Sequence, residues 1–82
     1  MYYVYVLRSL KDHGYYIGST SDLRNRFKEH QEGKSPSTKH RRPWQLVYYK
    51  ACRAKKDALI RERYLKTAWG KRYLKNRIKY ST

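Results

Sequence analysis

Acidic residues are scarce in this chain. Six Asp and Glu stand against 21 Lys and Arg, giving a net charge of +15 over 82 residues. So few acids exclude a surface built of balanced ion pairs. Cysteine is scarcer still. Cys52 is the only one, so no intrachain disulfide can form and an intracellular, cytoplasmic setting fits. It is expected as a small buried hydrophobe rather than a nucleophile. His13, His30, His40 and Cys52 lack the close pairwise spacing of a structural zinc site. No glycine-rich phosphate loop and no serine nucleophile elbow occur. No apolar run is long enough to cross a membrane or serve as a signal peptide. No segment is basic on one side and uniformly apolar on the other, so a membrane surface is not the expected partner. Internal repeats and low-complexity tracts are also missing. With two prolines and four glycines, the chain has few breaks, and its length suits one small domain over residues 1–82.

What the chain has in quantity is positive charge and tyrosine. Residues 1–30 carry five basic and three acidic groups, residues 31–53 six and one, and residues 54–82 ten and two. The excess therefore grows along the chain, and on so small a domain it points to a polyanionic partner. A chain of this size buries only about 60–65% of the surface its unfolded form exposes. Ten tyrosines and two tryptophans supply large buried areas while keeping their polar tips wet.

The opening stretch organises the rest. Met1 to Leu7 and Tyr15 to Ser19 are rich in Tyr, Val and Ile, with alternating parity, and read as two strands. Between them Ser9-Leu10-Lys11-Asp12-His13-Gly14 has turn chemistry, with Gly14 the residue suited to positive φ. A hairpin centred near Leu10 and Lys11 places Tyr5 opposite Tyr16, with Gly18 one pleat beyond. A helix follows, with Thr20 or Ser21 as N-cap and Asp22 favouring the positive end of its dipole. Leu23, Phe27 and His30 share one face, and Arg26 neighbours His30. Gly33 suits the left-handed position at the helix end.

Ser35 to Pro43 reads as a basic loop, either a phosphate clamp or an ordinary surface loop. Lys39, Arg41 and Arg42 are its candidate nucleic-acid contacts, with Ser37 and Thr38 as hydroxyl donors. Trp44 to Ala51 is a third strand, Leu46 and Tyr48 on one face and Val47 and Tyr49 on the other. Lys55 to Thr67 is helical, with Ala58, Leu59, Glu62, Leu65 and Trp69 in one stripe. An acid on such a face is costly unless it is paired or holds a metal, and both readings of Glu62 stand. Trp69-Gly70 reads as a break before a last basic helix, Lys71 to Tyr80. There Lys71 and Arg72 are further candidate nucleic-acid contacts, and Tyr73, Leu74, Arg77 and Ile78 recur at helical spacing.

Tyr3-Val4-Tyr5, Tyr16-Ile17-Gly18, Arg26-x-x-x-His30 and Ala58-x-x-x-Glu62-x-x-x-Lys66 stand in an order that resembles the GIY-YIG nucleases. The resemblance runs from about Met1 to Lys66 and is nearest to the small stand-alone branch. Tyr3 takes the place of the first motif's glycine. Asn76, the only asparagine after Glu62, is not assigned the family's late asparagine role. The resemblance implies a nuclease in which a motif tyrosine, Tyr5 or Tyr16, activates water. Arg26 would stabilise the phosphate, for which its planar, permanently charged fork is suited. Glu62 would be the protein ligand of one Mg²⁺ or Mn²⁺ ion, a metal that keeps most of its waters. Tyr5 is the slightly favoured base, although a free phenol with pKa near 10 needs its phenolate stabilised. His30 either orients water or phosphate or closes the helix against Tyr5.

The expectation is an α+β fold, a three-stranded mainly antiparallel sheet flanked by three helices. The expected function is metal-dependent endonucleolytic cleavage of DNA, with RNA left open as a partner. The alternative is a non-catalytic nucleic-acid-binding protein of the same fold. A monomer or weak homodimer is expected, with a partner protein for targeting as a further reading.

Overall fold

A computed structural model describes residues 1–78. Three strands, β1 (Tyr2–Ser9), β2 (Tyr15–Thr20) and β3 (Trp44–Cys52), form one antiparallel sheet in the order β2-β1-β3. Three helices complete it: α1 (Leu23–Glu32), α2 (Lys55–Leu65) and α3 (Ala68–Ile78). A single 3₁₀ turn, Lys39–Arg41, lies between α1 and β3. This is the α+β architecture expected from the sequence.

The central strand explains the layering. Val4, Tyr5, Val6 and Leu7 are all buried, so β1 is covered on both faces. Val4 and Val6 pack with Leu65 of α2 and Leu74 of α3. Tyr5 and Leu7 pack with Trp44, and Leu23 and Phe27 of α1 close over them. Each such aliphatic side chain contributes about 1.5–3 kcal/mol when fully buried. Gly70 is where α3 crosses α2: a Cβ there would collide with the backbone of Tyr64 and Leu65.

Several local expectations are corrected. Tyr5 faces Gly18, and Tyr16 faces Leu7, so the hairpin is two residues out of the predicted register. The turn lies within the break that composition suggested, but its centre falls one residue later, between Lys11 and Asp12. Ser9 Oγ accepts from the amides of Lys11 and Asp12, each at 3.1 Å, and Ser9 N donates to the Gly14 carbonyl at 2.8 Å. A shift of two keeps side-chain parity, so Tyr5 and Tyr16 still share a face. The positive φ belongs to His13, at 64°, and not to Gly14. Asp22 is itself the N-cap of α1, accepting from Asn25 N at 3.1 Å, in place of Thr20 or Ser21. The Gly33 expectation holds, with φ at 78°.

In β3 a bulge at Val47 sets Tyr48 against Val6 and Leu46 against Leu7. Leu46 and Tyr48 therefore lie on opposite faces, because the extra residue inverts the alternation. On α2, Ala58 and Leu65 are buried, but Leu59 is exposed, and so is Trp69 beyond it. The chain turns at Lys66 and Thr67, so Trp69 belongs to the next helix axis. For the same reason α3 starts at Ala68 and runs through Trp69-Gly70 without a break. The predicted end of that helix at Tyr80 lies outside the described residues. Cys52 is half-buried at the end of β3.

Candidate active site

The hairpin register drapes the Tyr5 ring over Gly18. A Cβ on Gly18 would fall 2.6 Å from the Tyr5 hydroxyl oxygen, so the second motif's glycine makes room for the first motif's tyrosine. From the other side α1 delivers His30, which is 0% exposed. Its Nε2 lies 2.9 Å from the Tyr5 hydroxyl and its Nδ1 2.8 Å from Thr38 Oγ1. Thr38 directs its own hydroxyl toward the Ser35 carbonyl at 3.4 Å. Thr38 therefore accepts from Nδ1–H, which leaves Nε2 to accept from Tyr5. Tyr16 packs against His30 at a tilt of 59°, with ring centroids 5.1 Å apart, and approaches Tyr5 at 6.4 Å and Trp44 at 6.2 Å.

Arg26 sits one helical turn before His30. Its Nη1 donates to Glu29 Oε1 at 3.0 Å and its Nη2 to Ser35 Oγ at 3.4 Å, and its side chain keeps 32% exposure. Burial pushes the Tyr5 phenol up to about 12. Arg26 opposes that rise, while the nearby Tyr16 and Glu62 reinforce it. Arg26 is thus close enough to favour the phenolate, yet the hydroxyl's bond runs to His30. Burial, with the Arg26 charge behind it, pulls His30 down to about 4. At neutral pH the pair is a phenol donating to an uncharged imidazole.

Glu62 reaches the β2 edge from α2. Ser19 Oγ donates to its Oε1 at 2.7 Å, and Lys66 Nζ donates to its Oε2 at 2.8 Å. Burial alone would raise this carboxyl, but the bonds from Lys66 and Ser19 and the charge of Arg63 bring it below the usual range. Among the described residues no three His, Cys, Asp or Glu side chains gather to hold a metal ion. One carboxylate and a hydroxyl are a hard-oxygen donor set. They fit a hydrated Mg²⁺ or Mn²⁺ that completes its shell with water and phosphate, and not a zinc ion needing a full protein shell. The carboxylate already presents an oxygen to one cation, the Lys66 ammonium.

The basic candidates divide. Arg41 pairs with Asp12 at 2.8 Å and lies 4.9 Å from the Trp44 ring centroid. Arg42 Nε donates to the Lys39 carbonyl at 2.8 Å, and its guanidinium caps Gly33. Arg41 braces the loop against the hairpin and β3, and Arg42 ties it to the end of α1. Lys39 is exposed and shares a groove with Lys11, His40 and Arg42. Lys71 lines a second groove with Tyr15, Tyr16, Ile17 and Lys66. Arg72 stacks over Trp69 at 5.3 Å. Thr38, expected as a phosphate donor, is 0% exposed and serves His30 instead.

Three further partners had no linear signal. Ser19 reaches Glu62 across 43 positions. Gln31 clamps the Trp44 backbone, with its amide donating to the carbonyl and accepting from the N–H, both at 2.7 Å. Thr38 meets His30 only because the loop folds back.

A sheet whose first two strands present paired tyrosines to an Arg-x-x-x-His helix, with a lone glutamate on the next helix, is the arrangement that the resemblance to the GIY-YIG nucleases implies. The family model for the GIY-YIG catalytic domain matches residues 1–79, further than the motifs themselves. The chain belongs to the GIY-YIG family. It is 38% identical over 66 residues to the UPF0213 protein YazA of Bacillus subtilis, covering 79% of this chain and 66% of that one. A UPF0213 protein of Clostridium perfringens is 40% identical over 67 residues, covering 80% and 71%. The match to YazA thus spans about two thirds of that relative's length. The solution structure of a UPF0213 protein from Bacillus halodurans superposes with a TM-score of 0.55 at 36% identity, covering 90% of this chain and 82% of the other.

Proposed function

We propose that this protein is a metal-dependent endonuclease that hydrolyses DNA phosphodiester bonds. The observation that carries the reading is the convergence of Tyr5, Tyr16, Arg26 and His30 from three elements, with the Arg26 guanidinium still open to solvent. Arg26 would clamp a phosphate oxygen and stabilise the charge that builds on phosphorus. Glu62 would hold one Mg²⁺ or Mn²⁺, which when bound neutralises phosphate charge and acidifies water. Tyr5, 1% exposed and bonded to His30, is poorly placed to meet water. That supports Tyr16 as the water-activating phenol and gives Tyr5 and His30 the task of holding its ring.

Nicking of labelled DNA with and without Mg²⁺ tests this. Cleavage that requires the metal, and that is lost in Arg26→Ala and Tyr16→Phe but only reduced in Tyr5→Phe, is the expected result. Metal-independent or absent nicking by the folded wild-type protein refutes it.

A second reading, a nucleic-acid-binding protein without catalysis, is favoured by the hold of Lys66 on Glu62. The Glu62→Gln variant separates the two. The enzyme reading expects binding to survive and nicking to collapse. The binding reading expects lower stability, from an unpaired lysine, and no nicking in either protein.

A further inference from the structure

We infer that Lys66 is a positioning residue that keeps the Glu62 carboxylate closed to metal until a substrate phosphate draws the lysine away. The inference rests on the proposed nuclease reading and adds an order of events to it. Glu62 has two carboxylate oxygens, and both are engaged, one by Ser19 at 2.7 Å and one by Lys66 at 2.8 Å. A hydroxyl beside a carboxylate can stay when a cation arrives. An ammonium cannot, because two positive charges would share one oxygen within about 4 Å. Metal entry at the Lys66-bound oxygen therefore requires Lys66 to leave, and the same charge opposes a cation at the other oxygen.

The lysine has somewhere to go. It sits at the end of α2, its side chain is 54% exposed, and it also lines the groove formed with Tyr15, Tyr16, Ile17 and Lys71, a cavity of about 290 Å³. That groove presents two ammonium groups beside the partly exposed Tyr16, a setting for an anionic phosphate. A phosphate seated there competes with Glu62 for Lys66 and frees the carboxylate. Arg63 also acts on Glu62 through its charge but makes no hydrogen bond to it among the described residues, so it offers no equivalent latch. Metal and nucleic acid then strengthen each other's binding, and the coupling passes through one side chain.

The test is the affinity for Mn²⁺, measured from the free-ion spin-resonance signal, with and without a short phosphorothioate-linked DNA. Lys66→Met should bind Mn²⁺ about fivefold tighter or more in the absence of DNA, and the tightening that DNA causes in the wild type should shrink. Lys66→Arg, which keeps the charge, should restore weak binding. Lys66→Gln serves as a second neutral variant should Lys66→Met fail to fold. Glu62→Gln measures the ions that the DNA itself holds. Unchanged Mn²⁺ affinity in both neutral variants, while Glu62→Gln abolishes binding, overturns the role of Lys66 and spares the metal site. Mn²⁺ binding that survives in Glu62→Gln in the absence of DNA overturns both.

Discussion

The two faces of the sheet are built from one strand and behave as different materials. On one side of β1, Val4 and Val6 meet Leu65 and Leu74 in an aliphatic core. On the other, Tyr5 is tied through His30 to Thr38 and surrounded by aromatic rings. The first face gains free energy mainly from area and packing, without direction, with the Ser19–Glu62–Lys66 bonds at its β2 edge. The second commits polar atoms to fixed partners, which orients the rings and makes the face costly to disturb. Alternation along a single strand thus puts the aliphatic core and the tyrosine cluster back to back.

The sharpest way to test the division is Arg26→Ala. Its side chain is partly exposed and bonded to a half-buried glutamate and to Ser35 Oγ, so stability should change by less than about 1 kcal/mol. Nicking should fall by roughly 10³-fold or more, the scale of a lost phosphate-stabilising arginine. Unfolding of this variant would show that Arg26 serves the core instead. On the opposite face, Leu65→Ala should cost about 2–5 kcal/mol, a large share of the stability of a small domain, read by urea denaturation. Any remaining folded fraction should nick at the wild-type rate.

Acid should weaken the His30 face first. Unfolded histidine takes up a proton near pH 6.5, whereas folded His30 does so only near 4. Stability from this group is complete above pH 6.5 and is lost as pH falls toward 4, about 3 kcal/mol in all. Melting temperatures from pH 7 to 4 should decline in the wild type and flatten over that window in His30→Gln. The smallest effect is expected at Trp69, exposed on α3 with only Arg72 stacked on it. Trp69→Ala should shift stability by less than about 1 kcal/mol. A larger loss would mean that the basic helix has a packing role.

Period-two alternation and motif spacing made the sheet, the helices and the Tyr5–Tyr16–Arg26–His30 group legible, because those signals are local. Contacts closed by loops were not. Ser9 holding the turn moved the hairpin by two residues, and Val47 as an extra residue reversed the faces of Leu46 and Tyr48. Thr38 looked like a loop hydroxyl until the loop was folded under α1. Glu62 looked like an acid on an apolar stripe. Its neighbours Leu59 and Trp69 proved exposed, and its partners Ser19 and Lys66 lie on the β2 edge and one turn along α2. Helical spacing places residues on a face, but it does not say which part of that face the sheet covers.

The central position of β1 has a consequence for measurement. Its amides and carbonyls are paired with β2 on one side and β3 on the other, so no local fraying exposes them. Protons there should exchange with solvent only through opening of the whole sheet. The Tyr5 amide proton is then a clock for global unfolding set inside the proposed active site. Its deuterium exchange rate would report whether a ligand that occupies the site also holds the entire molecule closed.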